Sequence, residues 1–129
     1  MFKPLALVAS FCCAAAQAQS PAPSALPTDF PAGAQTPDAK SLAERLGDRV
    51  FNAKLSNGQG WRLDIKNTGY IFVDLSNGAR DNGSWRTENG KLCVDYRERF
   101  PSGCSEVRLL ADHVLLKTRA GEIVTLVAQ

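Results

Sequence analysis

The sequence has few of the side chains from which metal centres and catalytic sites are built. It contains a single histidine, His113, and four cysteines, of which Cys12 and Cys13 lie in the apolar N-terminal stretch. A structural zinc site needs more Cys and His ligands than remain. The serines are scattered, without a Gly-x-Ser-x-Gly elbow, and the glycines stand singly after asparagines rather than in a phosphate-binding loop. We therefore expect no catalytic site, no metal and no cofactor.

An excess of one charge is also missing. Lys and Arg number 15 and Asp and Glu 13, which gives a formal net charge of +2. Nucleic-acid-binding domains carry a basic excess on one face, and anionic membrane surfaces attract polybasic segments. The balance predicts that the partner is not a nucleic acid. Beyond the N-terminal stretch no long apolar run occurs, so we expect no transmembrane segment.

Residues 1–18 have the three parts of a secretory signal peptide. Lys3 gives a basic start, residues 5–16 are apolar but too short to span a bilayer, and Ala16-Gln17-Ala18 is a small-x-small cleavage site. The sequence therefore predicts an exported protein, periplasmic or secreted.

The four cysteines form two groups with different expected fates. A lipid anchor would need a small residue before Cys12 or Cys13, and Phe11 precedes the first of them, so we expect both to leave with the signal peptide. Cys93 and Cys104 remain. Two cysteines in an oxidising compartment predict one disulfide.

The next two segments differ in composition. Residues 19–36 are rich in Ala, Pro and Ser and predict a disordered spacer, with a docking motif at Phe30 as the alternative. Residues 37–46 predict a short helix that Thr36 caps and Gly47 ends. We expect one folded domain over residues 37–129, consisting of this helix and a β-domain.

From Asp48 onward the apolar residues alternate, and Asn-Gly pairs recur at hairpin spacing. Such pairs favour primed turns, which have positive φ at both central residues. Eight strands are predicted, at residues 49–55, 60–66, 70–76, 83–88, 91–97, 104–110, 113–119 and 122–128. The fold class is therefore all-β, an up-and-down antiparallel meander that closes as a small barrel or folds into two packed sheets. The third strand is apolar on both faces, which suits a central strand or one covered by the helix.

The predicted disulfide would close a charged hairpin tip, residues 97–103. Arg97, Arg99 and Phe100 on this tip are the candidate binding residues, because Arg and aromatic side chains dominate binding hot spots. The alternative is a solvated hairpin tip in which the disulfide serves stability alone.

Three further groups of residues are candidates for a site, on less evidence than the hairpin tip. Trp61, Trp85, Tyr70 and Tyr96 either fill the core or line a ligand cavity. His113 follows a turn and has no nucleophile near it in the sequence. Four acidic residues lie on strands and are the only candidates for acid–base chemistry: Asp64, Asp74, Asp95 and Glu106.

One pattern links several of these positions. It consists of Gly60-Trp61, Gly83-Ser84-Trp85, Leu92-Cys93 and the later Cys104. In this it resembles small exported bacterial β-domains of unknown function, over roughly residues 48–128. The resemblance implies a fold and a compartment, and no catalytic residue.

We therefore expect a monomeric, non-enzymatic binding module that contacts a protein or a small ligand through the disulfide-closed loop or one barrel end. If the loop is not the contact site, we expect the site at the other barrel end, near Asn57-Gly58 and Asn77-Gly78. The alternatives are an accessory protein of envelope structure or assembly, and a hydrolase that uses strand carboxylates.

Overall fold

The structure is a computed structural model that describes residues 25–129. The predicted signal peptide and the question of a lipid anchor lie outside the described residues. Within them, no helix has the length and apolar character needed to cross a membrane. The elements are α1 Ala39–Leu46, β1 Arg49–Lys54, β2 Gly60–Ile65, β3 Tyr70–Leu75, β4 Arg80–Glu88, β5 Lys91–Tyr96, β6 Gly103–Leu110, β7 His113–Lys117 and β8 Ile123–Ala128.

The eight strands form a closed antiparallel barrel in sequence order. Each strand pairs with the next, and the barrel closes where β1 pairs with β8 through Phe51 opposite Ala128 and Asn52 opposite Val127. The predicted all-β meander is confirmed, and of its two variants the structure is the barrel. Alternation places the larger apolar side chains inside, where β-branched and aromatic residues pack on a pleated surface.

Four of the hairpin loops share one geometry, which differs from the predicted primed turns. In the β1–β2 loop the Gly58 N–H donates to the Leu55 carbonyl, and the Leu55 N–H donates to the Gln59 carbonyl. Gly58 has φ +84°, whereas Asn57 is not in the left-handed region. Instead the Asn57 side chain accepts the Gln59 N–H at 2.9 Å. In the β1–β2 loop asparagine thus supplies a side-chain acceptor and glycine alone supplies positive φ, as in a type I turn followed by a glycine bulge.

The fourth strand begins at Arg80, earlier than predicted, because Asn82-Gly83 lies inside it and is not a turn. Asn82 pairs with Phe72 and Gly83 with Ile71 on β3. A Cβ on Gly83 would lie 2.1 Å from the Asp95 carbonyl oxygen, so this glycine allows two backbones to approach closely.

Helix α1 begins at Ala39, two residues later than predicted, and its cap is Asp38 rather than Thr36. The Asp38 carboxylate accepts the Ser41 N–H at 2.7 Å, as an N-cap does. The helix ends at Gly47, as expected. Leu42 and Leu46 are fully buried against the barrel core.

The helix lies at one end of the barrel, which we call the helix end. Asn89 in the β4–β5 turn accepts the Ala39 N–H at 3.0 Å, and the Gly90 N–H donates to the Pro37 carbonyl at 2.8 Å. The opposite end, the loop end, carries the β1–β2, β3–β4, β5–β6 and β7–β8 connections.

Residues 25–36 contact the barrel, although their composition predicted disorder. The Ile123 N–H donates to the Pro27 carbonyl at 2.8 Å, and Gln35 exchanges two backbone hydrogen bonds with Leu109, at 2.7 and 2.9 Å. The Arg108 guanidinium lies 5.1 Å from the centre of the Phe30 ring. Backbone pairing and this cation–π contact hold a segment whose own apolar content is low. Residues 19–24 of the predicted spacer lie outside the described residues.

The outer face of β3 is not covered by the helix. Tyr70 and Phe72 are 50% and 45% exposed, whereas Ile71 and Val73 between them are buried in the core. The double apolar character of this strand therefore reflects one core face and one exposed aromatic face.

Candidate functional site

The predicted disulfide is present and joins directly opposed residues of β5 and β6. Cys93 and Cys104 are cross-strand partners, with an S–S distance of 2.03 Å. Together with Glu88 they form a group of potential metal ligands. Both sulfurs are committed to the disulfide, so the thiolates that a soft metal would require are not available.

The disulfide closes the stapled loop, residues 97–103, at the loop end of the barrel. Arg97 and Arg99 have exposed side chains, as a contact surface requires. Phe100 differs, because it is half-buried and packs against the barrel core. The structure thus separates the three predicted binding residues into two that face solvent and one that faces inward.

A buried carboxylate fixes the backbone of this loop. Asp81 on β4 is 6% exposed, and its Oδ2 accepts the N–H groups of Arg99 at 2.7 Å and Phe100 at 2.9 Å. Its Oδ1 accepts the Asn82 N–H at 2.8 Å and lies 3.3 Å from the Glu98 nitrogen. Burial acts to raise the pKa of Asp81, but the backbone donors outweigh it and hold the pKa below its ordinary value.

Phe100 meets Tyr96 edge to face, with ring centres 5.5 Å apart and planes at 90°. This is a preferred aromatic geometry. Burial, with a smaller contribution from the charge of Asp81, raises the pKa of Tyr96 to about 12. The Tyr96 hydroxyl therefore keeps its proton at neutral pH and can donate a hydrogen bond.

Beneath the stapled loop lies a half-open cavity of about 620 Å³. Its size falls in the range of small-molecule sites. The deeper wall is apolar and comes from β2, β3, β5 and β7, with Leu63, Ile71, Val73, Leu92, Val94 and Leu116. Exposed residues at the loop end, including Pro101 and Arg119, complete the lining. The cavity therefore opens at the loop end, away from the helix.

One buried polar atom lacks a partner. Thr118 is among the residues that line the cavity and is 9% exposed. Within residues 25–129 its Oγ1 is the one buried side-chain nitrogen or oxygen without a hydrogen bond. An unmade hydrogen bond of this kind costs stability, roughly 1–3 kcal/mol. Because this oxygen has almost no accessible surface, it does not face the open cavity.

The four aromatic residues that were expected either to fill the core or to line a cavity lie in different places. Trp61 and Tyr96 line the cavity. Trp85 packs against the core and its indole N–H donates to the Lys66 carbonyl at 2.8 Å, which ties β4 to the β2–β3 loop. Tyr70 faces outward.

The remaining chemical candidates do not assemble into a site. His113 is exposed at the β6–β7 turn. The four strand carboxylates each lie near a cation: Asp64 near Lys66 at 3.1 Å, Asp74 near Arg80 at 3.0 Å, Asp95 near Arg86 at 3.5 Å and Glu106 near Arg108 at 3.6 Å. Of these carboxylates only Glu106 lines the cavity. Each of these four carboxylates thus lies next to a cation, and we identify no pair among the four for acid–base catalysis.

The role of Asp81 in fixing the stapled loop was not predicted. Asp81 is one of several polar residues in β4, and its partners on the stapled loop lie 17 to 19 positions away. The burial of the Thr118 hydroxyl was not predicted either, and the inward parity of Thr118 after the apolar run of β7 was the one available signal. Family models, curated proteins and solved structures were compared with the chain, and none of the three comparisons found a match.

Proposed function

We propose that this protein is an exported, monomeric, non-enzymatic binding module that holds a small, mostly apolar ligand in the cavity at the loop end. The signal-peptide pattern of residues 1–18 supports export, and a disulfide is typical of an oxidising compartment. Small barrels that hold one ligand at an open end provide a precedent at the level of architecture only.

The single observation that carries the proposal is the half-open cavity of about 620 Å³ at the loop end, whose deeper wall is apolar. An alkyl chain that enters this cavity removes apolar surface from water, which is favourable. Apolar walls with a few placed polar groups are the usual composition of small-molecule sites.

The test is a titration with octanol, a neutral amphiphile, followed by the fluorescence of Trp61. Trp85→Phe is the background, because it leaves Trp61 as the one tryptophan and Trp61 lines the cavity. Octanol should change this fluorescence saturably. Leu75→Asn makes a half-buried position of the lining polar and should weaken the binding by about tenfold.

Leu110→Asn is the matched control, since Leu110 is a half-buried leucine at the helix end and does not line the cavity. It should leave the affinity for octanol unchanged. Octanol that leaves the fluorescence of Trp61 unchanged, or that binds Leu75→Asn as tightly as the unsubstituted protein, would contradict the proposal.

A second candidate function is contact with a protein through Arg97 and Arg99. Both side chains are exposed on a backbone that Asp81 and the disulfide hold in place. Such preorganisation lowers the ordering cost of binding. The test is capture of partners from an envelope extract: Arg97→Ala and Arg99→Ala should lose a partner that Arg49→Ala, an exposed position at the helix end, retains. Equal capture by all three variants would exclude this surface.

A further inference from the structure

We propose that the ligand of the loop-end cavity is a single-chain amphiphile with an anionic head group, such as a carboxylate, held at the mouth with its chain directed inward. This inference rests on the proposed function and adds the chemical class of the ligand. Two features of the cavity lead to it: the charge of the lining at the mouth and the apolar character of the wall.

The lining of the cavity carries more positive than negative charge. Lys117 and Arg119 both belong to the lining, and neither takes part in any of the ion pairs that the described residues form. The one carboxylate in the lining, Glu106, lies 3.6 Å from Arg108. On the loops above, Arg97 and Arg99 stand exposed with Glu98 between them, and Glu122 lies on the β7–β8 loop. An anion at the mouth therefore meets cations that the protein does not already neutralise.

The wall below the mouth cannot hold a charge. Leu63, Ile71, Val73 and Leu92 form its deeper part, and each is at least nine-tenths buried. Moving an ion into such surroundings is strongly unfavourable unless it is paired and hydrogen-bonded. A charged head group must therefore stay at the mouth, while an alkyl chain gains free energy by entering.

The experiment compares octanoate, octanol and octylammonium at pH 7 on the purified protein, again by the fluorescence of Trp61 in the Trp85→Phe background. The three share one alkyl chain and differ in head-group charge. Octanoate should bind about tenfold more tightly than octanol at low ionic strength, and octylammonium should bind most weakly. The preference for octanoate should shrink as salt is added, because exposed charges are screened.

Arg119→Gln combined with Lys117→Gln should reduce the preference for octanoate over octanol toward unity. Arg49→Gln removes an exposed cation at the helix end and should leave the preference intact.

The outcomes separate this inference from the proposed function. Equal affinity for octanol and octanoate, or a preference that survives the double substitution, overturns the anionic head group while leaving a ligand cavity in place. If none of the three compounds binds saturably, both the anionic head group and the ligand cavity are overturned.

Discussion

The carboxylate of Asp81 accepts the backbone N–H of Phe100 at 2.9 Å, and this bond joins the start of β4 to the far side of the stapled loop. Through it, Phe100 is held where its ring meets Tyr96 at the cavity. One buried side chain on a neighbouring strand therefore sets the shape of the loop that borders the mouth.

We predict that Asp81→Asn loosens the stapled loop. An amide has one acceptor oxygen in place of two and brings a donor into a cluster of donors, so several of the N–H groups of residues 98–100 lose their partner. Hydrogen exchange at these amides should accelerate and the melting temperature should fall. Asp95→Asn is the control, because the Asp95 carboxylate is exposed. Unchanged exchange at residues 98–100 would show that Asp81 does not fix the loop.

The same carboxylate predicts a loss of stability in acid. The pKa of Asp81 is lower in the folded protein than its ordinary value of 3.8. Folding is therefore favoured above that value, and the contribution disappears as the pH falls through the lowered pKa. Urea unfolding measured from pH 6 downward should show a smaller acid-dependent loss in Asp81→Asn than in the unsubstituted protein. Identical pH profiles would contradict the prediction.

The raised pKa of Tyr96 predicts that stability is lost as the pH rises in the alkaline range. Because its pKa is raised to about 12, an unfolded chain with an ordinary phenol loses its proton first. The contribution of Tyr96 to stability is therefore complete below pH 10 and declines as the pH rises toward 12. Tyr96→Phe should lack this decline in urea unfolding, and ultraviolet titration of the folded protein should show one phenol that ionises late. A protein in which every tyrosine ionises near pH 10 would refute it.

Gly83 should tolerate no side chain. Its added Cβ would lie 2.1 Å from the Asp95 carbonyl oxygen and 2.8 Å from the carbonyl carbon, both backbone atoms. Gly83→Ala must therefore shift β4 away from β5, and we expect a loss of several kcal/mol or a failure to fold. Gly103→Ala is the matched control, since an added Cβ there meets nothing within 4 Å and its φ is not positive. Similar melting temperatures for the two variants would contradict this account.

Ala111 offers a stabilising substitution. It has φ +52°, a conformation that costs a residue with a Cβ about 1–2 kcal/mol. Ala111→Gly removes this cost but adds about 0.4–1 kcal/mol of unfolded-state entropy, so we expect a net gain of about 0.5–1 kcal/mol. Asp48→Gly should bring no such gain, because Asp48 at φ +55° also accepts the Asn67 N–H at 2.9 Å. Urea denaturation measures both, and a destabilised Ala111→Gly would refute the prediction.

The disulfide should contribute mainly to stability. Replacing Cys93 and Cys104 by Ser should cost roughly 2–4 kcal/mol without changing the fold, in the chain-entropy account of a short closed loop. The reduced unsubstituted protein is the control and should unfold at a similar urea concentration. Two free thiols on alkylation of the native protein would exclude the pairing.

The parts of the fold that could be predicted were those determined by local pattern. Alternation and turn spacing gave all eight strands, because an inward side chain recurs at every second position. The start of β4 was predicted wrongly because of Asn82-Gly83. The same dipeptide forms a turn elsewhere in this chain, but here it lies inside the strand and allows two backbones to approach closely. The N-terminal segment was misjudged because its contacts come from the barrel and not from its own composition.

Less of the candidate site than of the fold could be predicted from local sequence patterns. Arg97 and Arg99 were placed correctly on an exposed loop, yet the inward packing of Phe100 depends on Asp81, which no local pattern connects to it. The loops at Asn57-Gly58 and Asn77-Gly78 were predicted at the barrel end opposite the stapled loop, and this was wrong, because they lie at the same end. Antiparallel connectivity requires this, because every second connection returns to one end of the barrel.

The way the barrel closes has a consequence for how it folds. Seven of the eight strand pairings join neighbours in sequence, which form over short loops, whereas the seam joins Phe51 to Ala128 and Asn52 to Val127. Long loops close slowly because their entropy must be lost before any contact is gained. Hairpins should therefore form early and the seam last, so that a substitution at Asn52 or Val127 should accelerate unfolding with little effect on the folding rate. The last contact to form is then the first to open, and the rate of its opening governs the lifetime of the folded barrel.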